Sequence, residues 1–209
     1  MNVLAEQFGG PSGVLGHVVS RLLARGNGAF NRWIVHELAA EMPALATIIE
    51  VGSGPGIALH EFARVYPTAR IVGVDPSDVV RRNAFRRNAA AIRDGRVTLI
   101  GGDVTAVTAY QPADLVLAVH VIYFWSDPIK ELRSIHDALA PGGRVALGYQ
   151  LRAHMPRPAQ RNFPKAGFTL YDSDDQVAAH LHDAGFGRPH VKLFGNPEAP
   201  HGRLIVAAS

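Results

Sequence analysis

Short apolar runs and helically spaced apolar positions alternate along most of the chain. Runs rich in Val, Ile and Leu lie at 47–50, 70–74, 96–100, 113–119 and 143–148. The stretches between them repeat apolar residues at helical spacing, at 57–65, 79–92 and 127–139. Strands of this composition that alternate with helices are typical of a parallel sheet covered on both faces. The pattern therefore predicts an α/β fold.

The two ends of the chain depart from this rhythm. Residues 1–13 are loop-like, and two helices are predicted near 14–23 and 30–38, because Gly26–Asn27–Gly28 separates their apolar repeats. Residues 149–172 contain several prolines and no clear period. A loop of that length inside a compact domain is usually functional. After this segment, the sequence predicts a helix that is capped within 172–175. Two further predicted strands, at 190–194 and 203–208, suggest an antiparallel hairpin at the sheet edge.

Length and composition change this picture little. The chain has 209 residues, of which 47% are hydrophobic and 19% charged, with a net charge of +3. One α/β domain fits that length. The absence of cysteine excludes disulfides, thiolate chemistry and zinc–cysteine sites. Neither a membrane-spanning apolar run nor a signal peptide is evident, so we expect a cytoplasmic protein.

The basic residues give no strong indication of a nucleic-acid partner. The one dense cluster comprises Arg81, Arg82, Arg86 and Arg87. On a helix these positions spread over a broad arc and form no single stripe, so a solvated helix face is the better interpretation. Nucleic acid is therefore not expected as a partner.

A glycine-rich turn follows the first apolar run, in the order Glu50-x-Gly52-Ser53-Gly54-Pro55-Gly56. Such a turn between a strand and a helix can be purely structural, or it can bring backbone N–H groups and a helix N-terminus to a ligand. The third glycine of a dinucleotide turn would fall at position 57, which is isoleucine. The turn alone leaves both interpretations open.

Acidic residues also end the next two predicted strands. Asp75 ends the second, where a ribose diol would lie if a nucleoside spanned the strand ends. Asp103 follows Gly101–Gly102 after the third, either as a helix N-cap or as an acceptor for an adenine amine. Together with Glu50, three acids at successive strand ends frame the crevice where open α/β sheets bind ligands.

In this order the motifs resemble the class I S-adenosylmethionine-dependent methyltransferases, and within them the small-molecule branch that includes the ubiquinone/menaquinone biosynthesis (methyltransferase type 11) enzymes. Further matching segments are Val72–Ser77, Gly102–Val104, Ala113–Ala118 and Leu139–Gly143. The resemblance implies a doubly wound, Rossmann-like sheet of seven strands, in the order 3-2-1-4-5-7-6 with strand 7 antiparallel. It implies a single domain comprising an N-terminal helical cap (1–45), a cofactor-binding core (46–148), a possible substrate lid (149–172), and a C-terminal helix and hairpin (173–209).

The resemblance also implies S-adenosyl-L-methionine as cofactor, with S-adenosyl-L-homocysteine as product. The glycine turn would approach the methionyl part, Asp75 would hold the ribose hydroxyls, and Asp103 with Val104 would line the adenine. Pro76 and Ser77 would complete that wall. The predicted cofactor-binding residues are Glu50, Gly52, Ser53, Gly54, Gly56, Asp75, Pro76, Ser77, Asp103, Val104 and His120.

Candidates for catalysis follow the fourth strand. His120 could act as a base or contact the cofactor near its sulfonium, or it could satisfy a core group. Tyr123, Phe124 and Trp125 could surround the charged sulfur or an aromatic substrate, although two of the three are expected in the core. We take His120 and Tyr123 as the catalytic candidates. Basic residues of the irregular segment could meet an acidic substrate or be solvated: Arg152, His154 and Arg157.

No metal is expected. His180 and His182 lie two apart on a predicted helix and so point to different faces. The fourth strand ends in His120 where metal-dependent catechol-type relatives carry a carboxylate. An Asn/Asp-Pro-Pro-Tyr/Phe tetrad, the signature of amino-methylation of nucleobases or glutamine, is also absent.

The predicted function is S-adenosylmethionine-dependent methyl transfer by in-line displacement to a small, partly apolar molecule. An NAD(P)-dependent oxidoreductase is an alternative, disfavoured by Ile57, by Asp103 and by the lack of a Tyr-x-x-x-Lys pair. A non-catalytic cofactor- or RNA-binding protein of the same fold is another. The oligomeric state stays open, because the apolar faces of the N-terminal helices could serve a lid or a homodimer partner.

Overall fold

The computed structural model describes residues 13–209 and the side chains from residue 27 onward. Its helices are α1 (Gly13–Glu41), α2 (Ile57–Val65), α3 (Asp78–Arg87), α4 (Ala89–Arg93), α5 (Pro128–Ala138), α6 (Arg157–Lys165) and α7 (Asp174–Asp183). The strands are β1 (Thr47–Val51), β2 (Arg70–Val74), β3 (Val97–Ile100), β4 (Ala113–Val119), β5 (Leu139–Tyr149), β6 (His190–Asn196) and β7 (Ala199–Ala208). Short 3₁₀ turns lie at Val104–Tyr110, Ile122–Phe124 and Arg152–His154.

The seven strands form one sheet in the order β3-β2-β1-β4-β5-β7-β6, with β7 antiparallel to both of its neighbours. The predicted fold class is confirmed. In the parallel part, Val51 pairs with Val74 and with Ala118, and Val74 pairs with Ile100. The carboxyl ends of β1, β2, β3 and β4 are therefore level. The strand order reverses between β1 and β4, which is where such sheets leave a crevice.

Alternate residues of the central strands supply two apolar layers, one on each face of the sheet. Ile48 packs with Leu38 of α1 and Phe62 of α2 on one face. Ile49, its neighbour in β1, packs with Leu132 of α5 and Leu181 of α7 on the other. This arrangement follows from the two-residue period of a strand and explains why the central strands are apolar throughout.

The N-terminal prediction of two helices is wrong in the described region. Helix α1 runs without interruption from Gly13 to Glu41, through Gly26–Asn27–Gly28. A glycine inside a helix costs about 1 kcal/mol relative to alanine. Burial of the apolar face that includes Phe30, Ile34 and Leu38 offsets that cost. The loop expected at residues 1–13 lies outside the described residues except for Gly13.

The segment 149–172 contains more regular structure than its prolines suggested. Helix α6 occupies Arg157–Lys165, with Pro158 in its first turn and Pro164 near its end. Proline is compatible with a first helical turn, because N–H groups there have no partner within the helix. Phe163 anchors α6 by packing 5.7 Å from Phe124, measured between ring centroids. The segment is thus a short helix held by aromatic contacts.

Candidate active site

A cavity of about 770 Å³ lies at the carboxyl ends of the central strands. Its floor is the glycine turn after β1 and the end of β2. One wall is the segment after β4, and the far side is formed by α1 residues Asn27 and Asn31 together with α6. The volume is within the roughly 300–1,000 Å³ of pockets that bind drug-sized ligands.

Left-handed backbone conformations shape the glycine turn. Gly52, Gly54 and Gly56 have φ of 64°, 54° and 71°, a region that residues with a Cβ rarely adopt. A Cβ on Gly52 would lie 2.4 Å from Cγ2 of Val121, so the turn packs directly against the segment after β4. Gly56 does not line the cavity, and its carbonyl accepts a hydrogen bond from Nδ2 of Asn88 at 3.1 Å.

Asp75 connects the glycine turn to helix α3. Its Oδ2 accepts a hydrogen bond from the Gly54 N–H and its Oδ1 one from the Ser77 N–H, both at 2.9 Å. The residue is 7% exposed, and burial raises the pKa of its carboxyl. Because each oxygen has a second lone pair, the carboxylate can still accept from a diol.

Two arginines of the basic cluster support this floor. The guanidinium of Arg81 donates to the Asp75 carbonyl and to the Asp78 carboxylate, and its side chain is only 20% exposed. Nε of Arg87 donates to the carbonyl of Pro55 at 2.9 Å. The interpretation of the cluster as a solvated face is therefore wrong for Arg81, and incomplete for Arg87. The sequence carries no signal for the contact of Arg87 with Pro55, which lies 32 residues earlier.

Glu50 lines the cavity and is 2% exposed. Its Oε2 has no hydrogen-bond partner among the described residues, and neither has Oγ of Ser53. Burial, and secondarily the negative charge of Asp75, raises the pKa of the Glu50 carboxyl well above its ordinary value. Unpartnered buried polar atoms are rare in folded proteins. The pair fits a ligand that brings donors to this end of the cavity, as the ammonium of a methionyl group would.

Asp103 is exposed and caps the 3₁₀ turn that follows it. Its Oδ1 accepts from the N–H of Thr105 at 3.0 Å and from its hydroxyl at 2.6 Å. These bonds lower the pKa of the Asp103 carboxyl. The capping interpretation is thus observed, while Asp103 also lines the cavity beside Val104 and Pro76. Ser77 does not line it and caps α3, accepting from the Val80 N–H at 3.5 Å.

His120 has φ of 58° and is the one non-glycine residue with positive φ in 13–209. Strained residues of this kind concentrate at functional sites. The ring lines the cavity, with Nδ1 3.5 Å from the Tyr123 hydroxyl oxygen. Burial lowers the pKa of His120 to about 4, so the imidazole is neutral near pH 7.

The Tyr123 hydroxyl is engaged by the backbone after β5. It donates to the Gln150 carbonyl at 3.1 Å and accepts from the Gln150 N–H at 2.5 Å. Burial raises the pKa of Tyr123. Tyr123, Phe124 and Trp125 all line the cavity, and Tyr123 and Trp125 are also counted in the core. Two of the three aromatic residues are therefore in the core, as expected, and the role of all three toward a ligand stays a prediction.

The basic residues of segment 149–172 lie outside the cavity lining. Nε of Arg152 pairs with Oδ1 of Asp172 at 3.3 Å, and Nδ1 of His154 lies 3.2 Å from Nη1 of Arg203. Arg157 is exposed at the start of α6. The sequence missed five polar residues that do line the cavity, because nothing in their spacing marks them: Asn27, Asn31, Glu131, Gln150 and Asn162. Among the described residues, no group of three or more potential metal ligands occurs.

A sheet in this order, with the glycine turn and three acids at its carboxyl edge, defines the Rossmann-like fold of class I S-adenosylmethionine-dependent methyltransferases. The chain belongs to the methyltransferase domain family, which it matches over residues 23–188. The predicted resemblance and the prediction of an enzyme of this class are confirmed.

Relatives with assigned names agree with this family. The chain is 29% identical to the uncharacterized methyltransferase YdaC of Bacillus subtilis, with 65% of this chain and 72% of that protein covered. It is 31% identical to a trans-aconitate 2-methyltransferase of Streptomyces avermitilis, covering 75% of this chain and 59% of that enzyme. The crystal structure of a putative O-methyltransferase from Nostoc punctiforme superposes with a TM-score of 0.74 at 22% identity, covering 91% of this chain. This chain spans 58% of that one.

Among residues 13–209 no helix is long and apolar enough to cross a membrane.

Proposed function

We propose that this protein transfers a methyl group from S-adenosylmethionine to a small, partly apolar molecule. One observation carries the proposal: Oε2 of Glu50 and Oγ of Ser53, which have no hydrogen-bond partner among the described residues, lie in the same cavity that His120 and the aromatic residues line. The cavity thus has a polar end, which suits the cofactor, and an apolar end. Membership of the methyltransferase domain family supports the same activity.

The polar end offers a partner for each part of the cofactor. Glu50 and Ser53 would bind the methionyl group beside the backbone of Gly52 and Gly54. Asp75 would accept from the ribose hydroxyls, and Pro76, Val104 and Asp103 would enclose the adenine. In the reaction, an acceptor lone pair bonds to the methyl carbon as the carbon–sulfur bond breaks, its electrons remain on sulfur, and the acceptor proton passes to a base or to water.

Catalysis in this site would rest mainly on positioning. Holding the acceptor and the methyl carbon in line within a closed cavity is worth about 7 kcal/mol or more in ideal cases. The neutral imidazole of His120 can accept a hydrogen bond from the molecule that receives the methyl group, but its lowered pKa makes it a weak base. Tyr123 acts through its two backbone hydrogen bonds, which fix the chain after β5 against His120.

Ligand-induced stabilisation tests the proposal directly. S-adenosylmethionine and S-adenosylhomocysteine should each raise the unfolding temperature, and NAD(P) should not. Stabilisation by NAD(P) without S-adenosylhomocysteine would indicate an oxidoreductase instead. Salt-sensitive retention on RNA without methyl transfer to any small molecule would indicate a binding protein. The cytoplasmic location, the domain division and the oligomeric state stay predictions.

A further inference from the structure

The half of the cavity beyond His120 is aromatic and neutral. Phe124, Trp125 and Phe163 line it, and Phe124 also packs edge-on against Phe168 with 4.8 Å between ring centroids. The polar side chains on this side are amides, contributed by α1, α6 and the residue after β5: Asn27, Asn31, Asn162 and Gln150. Amides donate and accept hydrogen bonds and carry no charge. This half therefore suits a flat apolar ligand with a few neutral polar groups.

Apart from His120, the charged residue types in the described lining of the cavity are all acidic. The lining includes Glu50, Asp75, Asp103 and Glu131, and among the described residues it includes neither lysine nor arginine. His120 is neutral near pH 7, because burial lowers its pKa to about 4. Among the described residues, the cavity lining offers an acceptor carboxylate no lysine or arginine as a counter-ion, and it presents acids of the same sign.

Helix α6 directs its cations away from the cavity. Ala159, Asn162 and Phe163, at helical spacing, line the cavity. Arg157, Arg161 and Lys165 recur every four residues, are exposed and are absent from the lining. Because one face of a helix repeats at three and four residues, the basic stripe and the cavity face are separate. Helix α6 therefore presents an uncharged surface to the cavity, although it carries three cations elsewhere on its circumference.

We propose that the methyl acceptor is an uncharged aromatic or conjugated molecule with a hydroxyl or amine group, and that carboxylate acceptors are excluded. The inference rests on the proposed function and narrows it. Burying an ionised carboxylate without a partner is strongly unfavourable, whereas an aromatic ring gains contact area against other rings. The name of the relative trans-aconitate 2-methyltransferase indicates a tricarboxylate substrate for that enzyme. The acceptor proposed for this protein differs, because it carries no carboxylate.

A matched pair of probes tests the inference in the full-length protein saturated with S-adenosylhomocysteine. Methyl 4-hydroxybenzoate should bind at least tenfold more tightly than 4-hydroxybenzoate by calorimetry, and trans-aconitate should not bind. Equal or tighter binding of either carboxylate would overturn the inference, and so would failure of both aromatic probes to bind. Failure of S-adenosylhomocysteine itself to bind would instead refute the proposed function.

An Asn162→Arg variant tests the role of α6 in this selection. A guanidinium on the cavity face should bind the carboxylate of 4-hydroxybenzoate. The ratio of the dissociation constants of the two probes should therefore fall at least tenfold. Arg161→Asn changes the neighbouring exposed residue in the opposite sense and should leave the preference unchanged. If Arg161→Asn alters the ratio and Asn162→Arg does not, the assignment of the two faces is wrong. The comparison of probes on the unmodified protein stands even if Asn162→Arg fails to fold.

Discussion

Replacing Glu50 by glutamine removes a buried carboxylate that feels the negative charge of Asp75 and whose Oε2 has no partner among the described residues. Leaving a polar group unsatisfied inside a protein costs about 1–3 kcal/mol, and more if it is charged. The amide of glutamine carries no charge and can donate toward the Asp75 carboxylate. We therefore expect Glu50→Gln to stabilise the ligand-free protein by about 1–3 kcal/mol at pH 7.5, or about 2–4 °C in Tm per kcal/mol.

The pH dependence of this gain has a definite sign. The folded-state pKa of Glu50 is raised well above the ordinary 4.5. Below pH 4.5 the carboxyl is protonated in the folded and unfolded states alike, so it imposes no charge penalty. As pH rises through the raised folded-state pKa, the unmodified protein loses that stability and the glutamine variant does not. The advantage of Glu50→Gln should therefore be large at pH 7.5 and disappear near pH 4.

Urea unfolding of both proteins at the two pH values measures the gain, and calorimetry measures the loss of ligand binding. S-adenosylhomocysteine should bind at least tenfold more weakly to the variant, because a charge-assisted hydrogen bond is worth about 1.5–3 kcal/mol. Glu61→Gln is the matched control. Glu61 is also buried, at 4% exposed, but it pairs with Arg64 at 3.0 Å and with His36 at 3.2 Å, so this variant should lose stability. A destabilised Glu50→Gln, or a gain that is independent of pH, would refute the reasoning.

Three further predictions concern the same site. Gly54→Ala and Gly56→Ala share a left-handed backbone strain of about 1–2 kcal/mol. Only the Cβ at position 56 would also clash, because it would lie 2.5 Å from a neighbouring amide nitrogen. Denaturant unfolding should therefore show that Gly56→Ala is the less stable variant. The His120 ring should titrate near pH 4 by NMR, and a midpoint above 6 would contradict the burial argument. As pH falls from 6.5 toward 4, the protein should lose stability relative to His120→Gln, because only its unfolded state then binds the extra proton. Arg81→Gln frees the strand-end carbonyl and should weaken S-adenosylhomocysteine binding several-fold by calorimetry, whereas Arg82→Gln, at an exposed position, should not.

The sequence by itself determined the central strands and the turns that follow them, but neither the continuous helix α1 nor helix α6. The period-two and apolar runs located β2 and β4 at their observed bounds, because a buried parallel strand needs apolar residues on both faces. The glycine turn was equally legible, since its positive φ values at Gly52, Gly54 and Gly56 tolerate few other residues. The strand order was implied only by the family resemblance, because several topologies share one element order.

Only the tertiary structure decided which side chains reach the cavity. It showed that α1 continues through Gly26–Asn27–Gly28, that Arg81 supports the Asp75 carbonyl, and that segment 149–172 contributes two amides, Gln150 and Asn162, to the cavity lining. The first and third outcomes depend on contacts between residues distant in sequence, whose burial free energy exceeds the local preference of about 1 kcal/mol per residue. The glycine-turn end of the cavity was therefore readable from short motifs at three strand ends, whereas the aromatic end is assembled from α1, α6 and the residues after β4 and β5, and exists only once they pack.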